Sequence, residues 1–322
     1  MSDRPADRFK VLLSAPYMIP FADRFVPELT AAGCDVIVPT VNERLEEADL
    51  LQLIPGIHGT ICGDDRYTRN VLGAATSLRV ISKWGTGIDS IDQSACAELG
   101  IRVCNTPNAF TVPVADSVMS YVLSFARQTP WMDTHMKAHR WEKIPGRSLS
   151  ECTIGIVGVG NIGSTVARRA AAFGMTVLGS DVRTIDSSLI TATGLLHVSL
   201  SELLNRSDFV TLHTDLNPTT QHLINAKTLA LMKQDAVLIN TSRGPVVDEN
   251  ALVNSLQNKA LAGAALDVFE VEPLPADSPL LSMTNVLLAP HNSNSSPVAW
   301  EHVHRNSITN LINGLSHNVR RN

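Results

Sequence analysis

The sequence predicts an α/β protein that contains two parallel β-sheets, each covered by helices. Short apolar runs rich in β-branched residues alternate with helical patterns along most of the chain, which is typical of strand–helix–strand units. A chain of 322 residues is also too long for one ordinary hydrophobic core. A long apolar helical pattern at 112–127 separates two series of predicted strands, so we expect one domain around each series.

The first series is sufficient for a complete small sheet. Helical patterns at 26–32, 70–77 and 91–99 lie between its strands and supply the connections that parallel strands need. Its five predicted strands are residues 10–15, 35–39, 59–62, 79–83 and 102–105.

The second series has six predicted strands with helices between them, which matches a doubly wound sheet. The segment 131–147, rich in His, Trp and Met, is predicted to be irregular. The last helix, 299–314, is expected to return to the first sheet, so the predicted domains are 1–105 with 292–322, and 106–291. The strands of the second series are 153–157, 176–180, 209–213, 236–240, 263–267 and 286–288.

Composition and charge argue against several classes of protein. The net charge is −5 without a basic cluster, so no nucleic-acid partner is expected. The five cysteines form no CxxC pair, which argues against a disulfide framework or a metal site. No apolar run reaches membrane-spanning length and the N-terminus does not read as a secretory signal. We therefore expect a cytoplasmic protein without membrane contact.

A glycine-rich turn follows the first strand of the second series. Gly158, Gly160 and Gly163 form a GxGxxG pattern between that strand and a helix predicted at 162–173. Gly158 would make the tight turn, Gly160 would let a pyrophosphate approach the backbone, and Gly163 would let the helix pack on the strand. The helix N-terminus would face the phosphates. The alternative is an α/β domain that binds no nucleotide and uses these glycines for packing alone.

The nature of the dinucleotide depends on Asp181, which ends the next predicted strand. A carboxylate there would bond to the hydroxyls of the cofactor ribose and repel the 2′-phosphate of NADP. Arg183 lies nearby and would soften that preference. The expected cofactor is NAD, bound by a Rossmann domain.

Three polar segments follow successive strands of the second series, where ligands bind in open α/β sheets. Arg243 would hold a carboxylate through two parallel hydrogen bonds. His291 would exchange a hydroxyl proton, and Glu272 beside it would favour the protonated ring. The segments are residues 240–244, 267–273 and 289–292.

Each of these side chains also has an ordinary explanation. Arg243 would form a strand-end salt bridge, Glu272 would be a solvated loop acid, and His291 would pack behind Pro290. Their occurrence together beside a cofactor turn favours catalysis instead. The predicted reaction is hydride transfer between NAD and a small 2-hydroxy acid, which gives the 2-oxo acid.

The order of these motifs resembles the D-isomer-specific 2-hydroxyacid dehydrogenase family over residues 10–314. The resemblance implies a Rossmann NAD-binding domain and a flavodoxin-like substrate domain, with the active site in a cleft between them. It identifies Arg243, Glu272 and His291 with the family's catalytic residues. The matching motifs are the glycine turn, NTSRG at 240–244, DVFEVEP at 267–273, and Pro290-His291.

The resemblance also implies the remaining site residues. The loop 83–89 is similar to the family's substrate loop, in which backbone N–H groups of Thr86 and Gly87 would hold the carboxylate and Arg243 would assist. Asp267 would accept a hydrogen bond from the nicotinamide amide. The segment 131–141 resembles a dimer arm, which implies a homodimer through the NAD-binding domain. The substrate-binding set is Trp84, Gly85, Thr86, Gly87 and Arg243; the cofactor-binding set is Gly158, Gly160, Asn161, Ile162, Gly163, Asp181, His213, Thr241 and Asp267.

Two alternatives stay open at this point. One is phosphoglycerate dehydrogenase proper: Asp64 and Asp65 would repel a phosphate, but Arg66 follows them, and a chain that ends at 322 is expected to lack the regulatory domain of many such enzymes. The other is a non-catalytic NAD(H)-sensing scaffold like the family's corepressor branch. The presence of all three catalytic residue types favours an enzyme.

Overall fold

The computed structural model describes residues 8–317 and contains two parallel sheets, of five and seven strands. The helices are α1 Ala22–Ala31, α2 Glu47–Leu53, α3 Arg69–Ala74, α4 Gln93–Leu99, α5 Thr111–Arg127, α6 Thr129–Lys137, α7 Asn161–Ala172, α8 Ser187–Thr193, α9 Leu200–Arg206, α10 Ala226–Leu229, α11 Glu249–Gln257 and α12 Pro297–His317. The strands are β1 Phe9–Leu13, β2 Cys34–Ile37, β3 Gly59–Cys62, β4 Val80–Lys83, β5 Arg102–Cys104, β6 Thr153–Val157, β7 Thr176–Ser180, β8 Leu196–His197, β9 Phe209–Leu212, β10 Val237–Asn240, β11 Gly263–Leu266 and β12 Val286–Leu288.

The described residues divide into two compact units. The first contains the residues up to Phe110 and those from Ser296 onward, and the second is Thr111–Ser295. The sequence places these boundaries at 105/106 and 291/292, and the outer ends of its first domain, 1–7 and 318–322, lie outside the described residues.

Hydrogen bonds explain why the boundaries between the two units lie after Phe110 and before Ser296. The Thr106 N–H donates to the Gly85 carbonyl at 2.8 Å, which attaches the residues after 105 to the first unit. Asp267 accepts the N–H groups of Asn292 and Ser293, which attaches the residues after 291 to the second unit.

The first unit has the strand order β2-β1-β3-β4-β5, all parallel, which is the flavodoxin-like order. Helix α12 packs against β4 of this sheet. The Ser82 hydroxyl donates to the Ser307 carbonyl at 2.9 Å, and a Cβ on Gly314 would lie 2.4 Å from the Val80 side chain. This glycine therefore lets the helix approach the strand closely.

The second unit has the order β12-β11-β10-β9-β6-β7-β8, again parallel, which is the Rossmann order with a further strand. The predicted α/β class with two doubly wound parallel sheets is confirmed. The prediction of six strands is wrong, because the two-residue β8 pairs with β7 at the edge. So short a strand has no periodic pattern that the sequence could reveal.

The prediction that 131–147 is wholly irregular is also wrong, since α6 extends through Lys137. Its Pro130 lies in the first turn, where a missing N–H costs nothing. The ring of Trp131 packs against Phe125 with centroids 5.0 Å apart, and its Nε1 donates to the Thr284 carbonyl at 2.7 Å. Tertiary contact thus stabilises a helix whose own pattern is weak.

Both faces of the second sheet are buried, so its strands are apolar on both sides. Ile154 and Ile156 of β6 contribute to the core under α5 and α7. Val210 and Leu212 of β9 contribute to the core on the opposite face, with α9 and α11. This arrangement leaves the strand ends as the place for polar side chains.

Within the described residues, no helix is both long and apolar enough to cross a membrane. No group of three or more His, Cys, Asp or Glu side chains in residues 8–317 is arranged to hold a metal ion.

Candidate active site

Arg243, Asp267 and His291 lie just beyond the carboxyl ends of three neighbouring strands, β10, β11 and β12. Backbone hydrogen bonds continue past the strands: Asp267 N–H donates to the Asn240 carbonyl at 3.0 Å, and His291 N–H donates to the Asp267 carbonyl at 2.8 Å. The three polar segments are therefore held together at one edge of the sheet.

Glu272 and His291 are in direct contact. The His291 Nδ1 lies 3.1 Å from Glu272 Oε2, while Glu272 Oε1 accepts the Phe269 N–H at 3.0 Å. One carboxylate oxygen is thus held by the backbone and the other by the imidazole. Because Nδ1 faces Glu272, Nε2 is the ring nitrogen on the opposite side, and the contact would hold the proton on Nδ1.

His291 adopts φ +49°, in the left-handed region that is uncommon for residues other than glycine. The buried Asp267 holds the loop in this conformation, since its Oδ1 and Oδ2 accept the N–H groups of Asn292 and Ser293 at 2.8 and 2.9 Å. Sequence reasoning missed this bracing role, because the partners are 25 and 26 residues away. The predicted contact of Asp267 with a nicotinamide amide stays a prediction.

Arg243 lies on a segment packed directly against the one that carries Glu272. Its carbonyl accepts the Asn240 side-chain amide at 2.9 Å, and its Nη1 donates to the Ser242 carbonyl at 2.9 Å. A Cβ on Gly244 would lie only 1.9 Å from the carbonyl carbon and oxygen of Phe269. Only glycine permits this approach of the two backbones.

The glycine turn has the geometry that a dinucleotide requires. Gly158 has φ +87°, and a Cβ there would lie 2.6 Å from the His213 carbonyl oxygen. A Cβ on Gly163 would lie 2.1 Å from the Gly158 carbonyl oxygen. At Gly160 a Cβ would meet only the Arg183 guanidinium, at 3.4 Å, so this is the side from which a phosphate would approach.

Helix α7 begins at the same turn, with Gly160 as its N-cap. The Ser164 N–H donates to the Gly160 carbonyl at 2.8 Å, which closes the first helical turn. The N–H groups before Ser164 belong to Asn161, Ile162 and Gly163, the positions at which a helix has no carbonyl of its own to bond. This cradle fits a pyrophosphate.

Asp181 lies at the end of β7 and helps to shape the turn. Its Oδ2 accepts the Val159 N–H and its Oδ1 the Arg183 N–H, both at 2.8 Å. Burial raises the pKa of Asp181, but these bonds and the Arg183 guanidinium bring it below its usual range. The carboxylate is therefore ionised where a ribose would lie.

His213 and Thr241 directly follow the neighbouring strands β9 and β10. Burial lowers the pKa of His213 to about 3, so its ring is neutral, and Nε2 lies 3.0 Å from the Thr211 hydroxyl. The buried hydroxyl of Thr241 has no hydrogen-bond partner among the described residues. A buried polar group in that state fits a site completed by a ligand.

In the first unit, the loop at 84–87 is held by side chains and backbone around it. Trp84 is buried, and its Nε1 donates to His304 Nδ1 at 2.9 Å. Gly85 has φ +115°, and the Thr86 hydroxyl donates to the Thr106 carbonyl at 3.0 Å. The Trp84 ring therefore packs in the core of the first unit, and the predicted substrate contacts of Trp84, Gly85, Thr86 and Gly87 stay a prediction.

A Rossmann sheet of this kind binds a dinucleotide at its carboxyl edge, and here that edge also carries a histidine, a glutamate and an arginine. The fold and the site define a dinucleotide-dependent α/β enzyme.

The comparisons with known proteins give the family. The model of "D-isomer specific 2-hydroxyacid dehydrogenase, NAD binding domain" matches residues 119–293, more than half of the chain. The chain belongs to the D-isomer-specific 2-hydroxyacid dehydrogenase family, and it is an NAD-dependent oxidoreductase of that family. The resemblance inferred from the motifs is confirmed, and so is NAD as the cofactor.

Individual relatives carry different names. A glyoxylate reductase of Korarchaeum cryptofilum is 41% identical over 239 residues, which are 72% of this chain and 71% of that protein. A D-3-phosphoglycerate dehydrogenase of Methanocaldococcus jannaschii is 38% identical over 260 residues, 80% of this chain, but the match spans only 48% of that relative. The structure of D-lactate dehydrogenase from Aquifex aeolicus, in complex with NAD and lactic acid, has a TM-score of 0.83 at 27% identity and covers 93% of each chain.

Proposed function

We propose that this protein interconverts a small, unphosphorylated D-2-hydroxy acid and its 2-oxo acid, with Arg243, Glu272 and His291 as the catalytic residues. The observation that carries the proposal is the 3.1 Å contact between Glu272 and His291 at the edge of the cofactor sheet, beside the strand end that holds Arg243. The names of the relatives, a glyoxylate reductase and a D-lactate dehydrogenase among them, support this substrate class.

Each catalytic side chain has one task. NAD, when bound, supplies or accepts the hydride. His291 gives a proton from Nε2 to the oxo oxygen in reduction and takes it back in oxidation, while Glu272 fixes the ring through Nδ1 and balances its charge. Arg243 binds the substrate carboxylate through paired hydrogen bonds.

The cofactor would be held by the turn and strand ends described above. The first N–H groups of α7 would bind the pyrophosphate, and the Asp181 carboxylate would bond to the ribose and repel a 2′-phosphate. His213, Thr241 and Asp267 would contact the nicotinamide half.

The region after β3 supports an unphosphorylated substrate. Asp64 is paired with Lys83 at 3.2 Å, so the positive charge of that lysine is already balanced by a carboxylate. Asp65 is fully buried and bonded to Ser14, and within residues 62–67 the exposed cation is Arg66; Arg69, just beyond, is paired with Glu98. One exposed arginine beside two carboxylates is a poor phosphate site.

We also propose a cytoplasmic homodimer that forms through the NAD-binding unit. The segment 131–141 exposes 87% of Trp141 and 51% of Met136, a degree of exposure typical of interface side chains. The five free thiols suit a reducing compartment. Sedimentation of the wild type and of Trp141→Ser tests the dimer; a wild type that sediments as a monomer refutes it.

The reaction is tested with NADH and a panel of 2-oxo acids that includes glyoxylate, hydroxypyruvate, pyruvate and phosphohydroxypyruvate. We expect turnover with at least one unphosphorylated acid, and a His291→Ala variant should lose it while NADH binding stays within about twofold. His197→Ala, in exposed strand β8, is the matched control.

Two results would contradict the proposal. Undiminished turnover by His291→Ala would remove the histidine from the mechanism. Intact NADH binding by a wild type that turns over none of the acids would favour the scaffold alternative.

A further inference from the structure

A second histidine–carboxylate pair lies at the same edge of the sheet. The His222 Nε2 is 2.5 Å from the Glu270 Oε1, and 44% and 27% of these side chains are exposed. His222 belongs to the loop between β9 and α10, whereas Glu270 lies two residues before Glu272. Sequence reasoning identified neither, since they are 48 residues apart.

The backbone of His222 is tied to the segment that follows Arg243. The His222 N–H donates to the Pro245 carbonyl at 2.8 Å, and the Ile224 N–H donates to the Val246 carbonyl at 3.1 Å. His222 also has φ +49°, and its carbonyl accepts the Asn225 side-chain amide at 2.9 Å. Strained residues of this kind persist where the surroundings hold them in place.

Glu270 is tied in turn to the segment that carries Glu272. Its N–H donates to Glu249 Oε2 at 3.1 Å, and the N–H of the preceding Phe269 donates to Glu272 Oε1 at 3.0 Å. A shift of residues 269–270 would therefore move the carboxylate that contacts His291.

The two segments meet at Gly244, whose backbone lies against Phe269 and Glu270. A Cβ on Gly244 would come within 1.9 Å of the Phe269 carbonyl and 2.5 Å of the Glu270 nitrogen. The side chains of His222 and Glu270 join the Phe269–Glu270 segment to the loop before α10, which is itself bonded to Pro245 and Val246. The pair therefore closes a ring of contacts that runs from the Arg243 segment to the Glu272 segment.

We propose that His222 and Glu270 form a clamp that sets the position of Arg243 relative to Glu272 and His291. Both are positioning residues, not catalytic ones, and the inference rests on the proposed function of those three side chains. Small displacements of a binding group weaken a reaction out of proportion to the stability involved. Removing the clamp should therefore affect substrate binding more than folding.

The expected effect is specific to the acid substrate. If Arg243 binds the carboxylate equally in the ground state and the transition state, its misplacement raises KM and changes kcat little. For His222→Ala we expect a KM for the 2-oxo acid raised about tenfold. The kcat should stay within about threefold of the wild type, because the bonds of Phe269 to Glu272 and of Glu270 to Glu249 still hold the Glu272 segment. The NADH dissociation constant should change much less than this KM, within about threefold, because the proposed pyrophosphate and ribose contacts, the glycine turn and Asp181, follow other strands, β6 and β7.

Four further variants separate positioning from general damage. His222→Gln retains an N–H that can donate to Glu270 and should restore most of the wild-type KM. Glu270→Ala should give the same KM as His222→Ala. The double variant should have no higher KM than either single variant, because each substitution removes the same interaction. His197→Ala, an exposed histidine of the same unit, should leave KM unchanged.

A second readout does not depend on turnover. In the cofactor-free protein, hydrogen exchange at the amides of His222, Ile224 and Val246 should be faster in His222→Ala than in the wild type. It should be normal in His222→Gln and His197→Ala. If the wild type reduces no 2-oxo acid, the proposed function fails, yet exchange at these amides still decides whether the clamp holds the segment.

Three results overturn the clamp. The first is a wild-type KM for the acid in His222→Ala; the second is unchanged exchange at the three amides. The third is an equal loss of acid and NADH binding that His222→Gln does not rescue, which would show a purely structural role.

Discussion

Replacing the buried carboxyl of Asp65 with an amide should make the first unit more stable at neutral and alkaline pH. Asp65 is fully buried, its Oδ2 accepts the Ser14 hydroxyl at 2.5 Å, and its Oδ1 accepts the Leu45 N–H at 2.7 Å. Burial raises the pKa of this carboxyl from 3.8 to about 6, against the opposing effects of those bonds and of Lys83.

The sign and the size of the effect on the free energy of unfolding follow from the difference between the pKa of Asp65 in the unfolded and in the folded chain. Well below pH 3.8 the Asp65 carboxyl is protonated in both the folded and the unfolded chain, so it does not change the free energy of unfolding. As pH rises from 3.8 towards 6, the unfolded chain ionises first, and the free energy of unfolding falls until the folded chain ionises as well. At about 1.4 kcal/mol per pKa unit, the folded state loses about 3 kcal/mol in total. About two-thirds of that loss develops between about pH 4.5 and 8.

Asp65→Asn removes the titration and retains the shape. The amide oxygen can still accept the Leu45 N–H, and the amide nitrogen can donate to the Ser14 hydroxyl, which then turns toward the Ile61 carbonyl at 3.5 Å. We therefore expect the variant to gain about 2 kcal/mol on the wild type as pH rises from about 4.5 to 8.

The assay is urea unfolding at several pH values, followed by tryptophan fluorescence, since Trp84 and Trp300 lie in the same unit as Asp65. The control is Asp35→Asn, which replaces an exposed carboxyl of β2 paired with Arg8 at 2.9 Å. Between about pH 4.5 and 8, the free energy of unfolding of this variant relative to the wild type should change by less than about 1 kcal/mol. A difference between Asp65→Asn and wild type that does not vary with pH would refute the reasoning, as would one of the opposite sign.

Two predictions concern the cofactor. Gly163→Ala places a Cβ 2.1 Å from the Gly158 carbonyl oxygen, so NADH titration should show at least about a tenfold loss of affinity, whereas Gly73→Ala, with nothing within 4 Å, should bind normally. Asp181→Ala removes the carboxylate that would repel a 2′-phosphate, so the ratio of NADPH to NADH affinity should rise about tenfold; an unchanged ratio would assign that selectivity to other residues.

Much of the fold follows from local pattern. Strands β3, β6, β7 and β12 have the bounds that the sequence predicts, because each is a short apolar run between clear turn signals. The exceptions are instructive: β8 is too short to show a period, and α6 is stabilised by the contact of Trp131 with Phe125 and Thr284.

The candidate site likewise contains residues that the sequence indicates and contacts that it does not. Arg243, Glu272 and His291 were recognisable because each follows a strand of a series whose carboxyl ends must share one edge. Asp267 as the brace of the His291 loop, and the pair His222 and Glu270, were not recognisable, since those contacts join segments 25 to 48 residues apart.

The sequence by itself determined the α/β class, the order of the elements, the dinucleotide turn and the chemical groups at the strand ends. These depend on periodicity, on glycines with a local steric task and on residue type, all of which are properties of short stretches. Only the tertiary structure decided which oxygen of Glu272 meets His291, why Gly244 must be glycine, and which carboxyl is buried at Asp65. Such facts depend on distances between remote segments and on burial, which arise only when the whole chain packs.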